Sequence, residues 1–198
     1  MKRMLLCGLA AALCLVLAGC GKLPDPERAA DGLDWDKEWI TVGGVVGVDT
    51  PEGMTSRENN EALAASGMYY AAWSIGEGEP YTNADGQEAI LYDAQVYLLL
   101  GGSKSEEEAR NALEEWRGMA REKYDVSGTA EETHNGQGFQ IITYTVDSEQ
   151  NPYGRGASAF GTYRNFAVNV EIACREEFDG DAGALLAQFL DNCHYAMP

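Results

Sequence analysis

From Ile90 to Leu100 every second residue is apolar or aromatic: Ile90, Tyr92, Ala94, Val96, Leu98 and Leu100. A period of two predicts a strand that turns this set toward a core. The segment MYYAAWSI, Met68 to Ile75, alternates in the same way and places Tyr69, Ala71, Trp73 and Ile75 on one face. Earlier, WITVGGVVGV from Trp39 is rich in β-branched residues and stops at the turn Thr50-Pro51-Glu52-Gly53, so it reads as the first strand. Two polar stretches separate these strands. TSRENNEALAAS reads as a short helix capped by Thr55 or Ser56, and GEGEPYTNADGQE, from Gly76 to Glu88, as a loop.

After Leu100 the period changes. In SEEEARNALEEWRGMAREKY, Ser105 stands three residues before Glu108, the spacing of a capping box. Ala109, Leu113, Trp116, Ala120 and Tyr124 form one helical stripe, and Glu114, Glu115, Arg117 and Arg121 are left to face water. The period of two then returns in a polar strand around Thr129 to His134, followed by the turn Asn135-Gly136, FQIITYTV, ASAFGTY, the turn Arg164-Asn165 and FAVNVEIAC. Short connections imply antiparallel pairing. A closing segment, ALLAQFLDNCHY, carries a second stripe of Leu185, Leu186, Phe189, Leu190 and Cys193, with Asp181 as its cap.

This order predicts an α+β domain: an antiparallel sheet of six or seven strands with a long central helix and a C-terminal helix packed on it. In element order and in the early strand-to-PEG turn, residues 38 to 196 resemble the PsbP-like fold. That fold is shared by the extrinsic photosystem II subunit, a Ran-binding import protein and many bacterial lipoproteins. The resemblance implies a fold and transfers no functional residue.

The chain begins differently. Lys2 and Arg3 precede an uncharged apolar run from Leu5 to Leu17, too short for the roughly 20 residues of a membrane span and typical of a secretory leader. Leu17-Ala18-Gly19-Cys20 resembles the lipobox of bacterial lipoproteins, which implies cleavage before Cys20 and diacylglyceryl attachment to its sulfur. Residues 1–19 are then a signal peptide, 20–37 a lipidated tether and 38–198 one globular domain. Acyl chains gain about 0.8 kcal/mol per buried CH₂, so the lipid alone holds the protein on a membrane, on the extracytoplasmic side. The tether, GKLPDPERAADGLDWD, spans roughly 20 to 25 Å as a flexible chain.

Losing Lys2 and Arg3 takes the net charge from -18 to -20. Such a surface repels nucleic acid, so no nucleic-acid partner is expected. Catalytic motifs are few. The two histidines, His134 and His194, exclude most metal and hydrolase constellations, and there is no H-E-x-x-H, G-x-S-x-G, S-x-x-K or C-x-x-C. Asn83, Asp85 and Gly86 match an EF-hand in part, but Tyr81 and Tyr92 stand where carboxylates are needed. Glu176, Glu177, Asp179 and Asp181 fit the dipole of the helix that follows. His134 reads as exposed, and His194 as a cation at a helix C-terminus. No cofactor and no metal site is expected.

Three functions remain open: a non-catalytic lipoprotein domain that binds an unknown protein or small molecule, an enzyme accessory built on carboxylates alone, and a sugar-binding module using some of the 4 Trp and 10 Tyr residues as stacking platforms. Tyr81, and Tyr153 with Arg155, are the candidate binding residues. They fall in loops without a strand period to assign them, and Tyr and Arg are common interface anchors. The competing reading folds each tyrosine down over the sheet edge.

Cys174 and Cys193 both fall on core phases. A helix folding back over the last strand carries Cys193 about 18 Å from its start, beyond the roughly 7 Å that a disulfide allows. Denatured, unreduced mature protein is therefore expected to react with a thiol reagent at both residues. A mass two units low with no labelling would establish a disulfide instead.

Overall fold

The computed structural model describes residues 40–60, 66–82, 86–146 and 151–195. The leader, Cys20, the tether, Asn83 and Asp85 lie outside the described residues. In chain order the elements are β1 (Ile40–Val42), β2 (Val46–Val48), β3 (Met54–Asn60), β4 (Met68–Ile75), β5 (Glu79–Thr82), β6 (Glu88–Leu91) and β7 (Ala94–Gly102). There follow helix α1 (Glu106–Lys123), β8 (Asp125–His134), β9 (Gln137–Thr145), β10 (Arg155–Tyr163), β11 (Phe166–Cys174), helix α2 (Ala182–Asp191) and β12 (Cys193–Tyr195).

Seven strands form one antiparallel sheet in the order β3-β4-β7-β11-β10-β9-β8. The α+β reading holds, and α1 is 18 residues long. Its Ser105 hydroxyl accepts from the Glu108 amide, and the Glu108 carboxylate accepts from the Lys104 amide at 3.0 Å, so two orphan donors at the helix start are satisfied. Asp181 caps α2 through the Ala184 amide at 2.7 Å.

Both faces of the sheet are covered, each by one helix. Tyr69, Ala71 and Trp73 of β4 and Val96, Leu98 and Leu100 of β7 point to the same side, as their alternation predicts, and pack with Leu186, Phe189 and Leu190 of α2. Trp73 meets Phe189 edge-on at 4.8 Å and donates its indole N–H to Thr50. The opposite side receives Trp116, Ala120 and Ala112 of α1 against Met68, Leu99, Ile142 and Phe160.

Several expectations are corrected. WITVGGVVGV is a hairpin, β1 and β2, turning at Gly43 and Gly44 with φ of 60° and 64°, and it pairs with β12 in a separate three-stranded sheet. Positive φ at both turn positions is what a tight hairpin needs and what glycine supplies. The segment expected to be a helix capped at Thr55 or Ser56 begins as edge strand β3, because backbone pairing with β4 outweighs a weak local preference. The supposed loop after Gly76 contains the hairpin β5–β6, whose residues are nearly all exposed and so leave no hydrophobic period.

The long alternating strand is also broken. It starts at Ala94, and Ile90 belongs to β6 with 49% of its surface exposed. Cys193 and His194 lie beyond the end of α2, in β12. Arg117 does not simply face water: it bonds Gln140 of β9 and Glu114 of its own helix. His134 is buried, its Nδ1 2.7 Å from Asp191 and its Nε2 3.1 Å from Glu132. Beside it Asn135 donates to the carbonyls of Asp191 and Cys193, so the β8–β9 turn clasps the end of α2. Cys174 and Cys193 are buried, free thiols, and desolvation holds both above the ordinary thiol pKa, Cys174 at about 11.

Helix α1 comes closest to the sheet where Gly101 offers no side chain. A Cβ there would stand 2.8 Å from two atoms of the Trp116 ring. Gly101→Ala is expected to destabilise the domain by about 1–3 kcal/mol through overpacking, read as a lower urea midpoint at unchanged m-value. An unchanged midpoint would show that Trp116 has room to move.

Candidate functional site

Helix α1 crosses its face of the sheet on a diagonal. Trp116 packs over Gly101 of β7, whereas Tyr124, just past the helix, packs over Tyr144 of β9 and Glu171 of β11. The helix thus lies mainly over β10 and β11, and among the described residues no helix packs on the corner made by β3, the end of β4 and the start of β7. That corner carries polar and aromatic side chains.

Arg57 occupies its edge. The register of β3 jumps between Ser56 and Glu58, which pair with Trp73 and Ala72, so Arg57 is the extra residue of a β-bulge. A bulge re-aims the side chain it carries. Here Nε of Arg57 donates to the buried Ser74 hydroxyl at 2.6 Å, and the guanidinium lies 4.7 Å from the centre of the Tyr92 ring. No carboxylate among the described residues pairs with it. Toward the centre of the sheet, Gln95 accepts from the Tyr97 hydroxyl, and Tyr97 stacks on Tyr70 with ring centres 5.9 Å apart at 25°. All three are half-buried.

The inner wall is a buried acid. Glu171, opposite Tyr97 in the β7–β11 pair, accepts from the hydroxyls of Tyr124 at 2.8 Å and Tyr144 at 2.6 Å. The two tyrosine rings stack at 3.9 Å and 5°. Lys123 donates to the Tyr124 hydroxyl at 3.0 Å, and its pKa is lowered by burial against the opposing pull of Glu171. Burial first, and then the Glu171 charge, push both tyrosines well above the ordinary phenol value.

Of the residues singled out from sequence, Tyr153 and Arg155 lie at one end of the large sheet and Tyr81 lies within the β5–β6 hairpin. Tyr81 is a half-buried residue of β5. Tyr153 accepts a hydrogen bond from the Tyr92 amide at 3.2 Å, and desolvation pushes its pKa up to about 12. Arg155 donates to the carbonyls of Phe178 and Gly180 and so ties the loop before α2 to β10. Arg175 holds the hairpin base through Glu79 and also meets Glu177. Tyr153 and Arg155 thus have internal partners.

Sequence reasoning missed Arg57, Tyr70, Gln95 and Tyr97. Two signals were present: Arg57 is the lone Lys or Arg between Lys37 and Lys104, and Tyr70 and Tyr97 fall on the non-core phase of strongly alternating strands. An open groove of about 280 Å³ lies across α1 between Arg121 and the β8–β9 residues Thr129, Glu131, Gln140 and Ile142, and has no aromatic lining.

No known family profile matches the chain, and no curated protein does either. Similar solved structures include cyanobacterial PsbP (CyanoP) from Synechocystis, at 8% identity and a TM-score of 0.39 over 72% of this chain and 92% of that one. Others are a Bacteroides thetaiotaomicron protein (7%, 0.40, over 80% and 48%) and the extracellular domain of PknH from Mycobacterium tuberculosis (11%, 0.39, over 87% and 97%). Likeness this remote carries neither a residue nor an activity across to this chain.

The raised tyrosines have a consequence at alkaline pH. Tyr124 and Tyr144 stay protonated in the folded protein after they ionise in the unfolded chain, so their stabilisation is complete below about pH 10 and is lost as the pH rises from there toward the native values. Denaturation at pH 8 and pH 11 should show a marked fall for the native protein and a smaller fall for Tyr144→Phe. Equal falls would remove Tyr144 as a source.

Proposed function

We propose that the protein is an extracytoplasmic lipoprotein, anchored through Cys20, whose domain is a non-catalytic binding module using the β3 edge around Arg57. Arg57 carries this reading. It is a cation on a strongly acidic chain, held in place by Ser74 and Tyr92, with no carboxylate partner among the described residues. Holding a guanidinium in a fixed position lowers the entropy lost when it meets a ligand. Among the described residues no helix is long and apolar enough to cross a membrane.

The sugar-binding reading is favoured over an enzyme accessory by the stacked, half-exposed Tyr70 and Tyr97. The buried carboxylate of Glu171 is engaged by two tyrosine hydroxyls that hold it in place.

Two measurements test the proposal. Cys20→Ala should accumulate as uncleaved precursor and incorporate no labelled lipid, and unchanged labelling would refute the anchor. Solubilised envelope saccharides added to isotope-labelled mature protein should perturb the amides of Ser74, Gln95 and Tyr97, and Arg57→Ala with Tyr97→Ala should abolish this at a nearly unchanged Tm. Perturbation confined to Tyr81 and Tyr153, or none, would remove the corner as the binding surface.

A further inference from the structure

We infer that the free edge strand β8 is a docking strand for an extended, positively charged segment of another protein, added to the large sheet through main-chain hydrogen bonds. This edge is the one opposite β3, and the inference does not rest on Arg57.

Its first support is the state of the backbone. Strand β8 pairs with β9 alone. The Asn135-Gly136 turn, with φ of 48° and 79°, makes His134 and Gln137 a hydrogen-bonded pair, and bonded and non-bonded pairs alternate from there. Glu132 and Ala130 therefore bond to β9, whereas Thr133, Glu131 and Thr129 turn their N–H and C=O groups outward. Among the described residues no backbone group takes them up. The register shift between Val126 and Gly128 affects only the start of the strand, and residues 128–134 pair with β9 without interruption. Every residue from Thr129 to Thr133 is exposed, on both faces. The result is a regular template for one more strand.

The second support is the sign of the charge along this edge. Natural edge strands are blunted by lysine, proline or a covering element, and β8 contains neither lysine nor proline. Glu131 faces the α1 side, where it lines the groove with Thr129, Gln140 and Arg121, and it forms no ion pair among the described residues. Glu132 faces the other side and meets His134 at 3.1 Å. A strand laid along β8 sets its own side chains beside a carboxylate on each face, at separations where opposite charges attract. The net charge of -20 after leader removal draws a basic segment in and turns an acidic one away.

A second copy of this chain is a poor match. Antiparallel pairing of two β8 strands about the middle of residues 128–134 sets Glu131 opposite Glu131, between two domains of the same charge. The tether of residues 20–37 is itself net acidic and matches no better.

The test titrates isotope-labelled mature protein with a capped peptide that alternates lysine with valine, with its glutamate counterpart, and with the lysine peptide N-methylated throughout, at constant pH and ionic strength. In the free protein the amides of Thr129, Glu131 and Thr133 should exchange readily with solvent. The lysine peptide should slow that exchange and shift the three amides saturably, binding at least tenfold tighter than the glutamate peptide. N-methylation removes the peptide's donors, leaves its charge and should abolish binding. Thr129→Pro removes an outward N–H that β9 does not use, and should weaken binding at least tenfold at a similar Tm. Glu131→Lys should narrow the preference for lysine over glutamate. The methylated peptide tests the pairing if the proline variant fails to fold.

Slow exchange of the three amides in the free monomer would show the edge covered by this chain's own tether and overturn the inference. The same protection in a dimer would make a second copy the occupant. Equal binding of the lysine and glutamate peptides would overturn the charge selection, and equal binding of the methylated peptide would replace strand addition by charge attraction alone. No saturable shift with the lysine peptide would remove β8 as a docking strand.

Discussion

Pairing of β7 with β11 holds the domain together. It runs without interruption from Ala94 opposite Cys174 to Gly102 opposite Phe166, and joins strands separated by α1 and three further strands in sequence. On one side of this seam stand β4 and β3, and on the other the meander β10, β9, β8. Neither half has two covered faces alone. Joined, they place Val96, Leu98, Val168, Val170 and Ile172 under α2, and Leu99 and Ala167 under α1. Contacts so distant in sequence carry a loop-closure cost, offset here by burial on both sides of one sheet.

The seam also sets the position of the buried acid. Glu171 sits on β11 in the middle of the sheet, where a charge is expensive to bury unless hydrogen-bonded. The hydroxyls of Tyr124, at the C-terminal end of α1, and Tyr144, on β9, meet that need. The acid thereby draws the C-terminal end of α1 toward β11 and β9. Arg57, Gln95 and Tyr97 lie on the same face toward the β3 edge, beyond the strands that the helix mainly covers.

The loop residues chosen by sequence show why loops mislead. Arg155 looked available because it falls in a segment with no strand period to assign it, yet its guanidinium is used by the carbonyls of Phe178 and Gly180. Arg57 looked unremarkable in a polar stretch without a hydrophobic period, yet a bulge turns it onto the open face. Local composition marks which side chains meet water only when the backbone is regular. A bulge, or a carbonyl brought in from another element, reverses that relation.

What the sequence by itself determined rests on local physics. Alternation in Met68 to Ile75 and Ala94 to Leu100, the capping box at Ser105, the Asp181 cap and the Asn135-Gly136 turn each depend on neighbours within a few residues, and each is found in the structure. Tertiary structure decided the rest. It split WITVGGVVGV into a hairpin paired with β12, drew TSRENN into an edge strand and buried His134 between two carboxylates. These outcomes depend on partners dozens of residues away, brought close only when the seam forms, and no local periodicity encodes them.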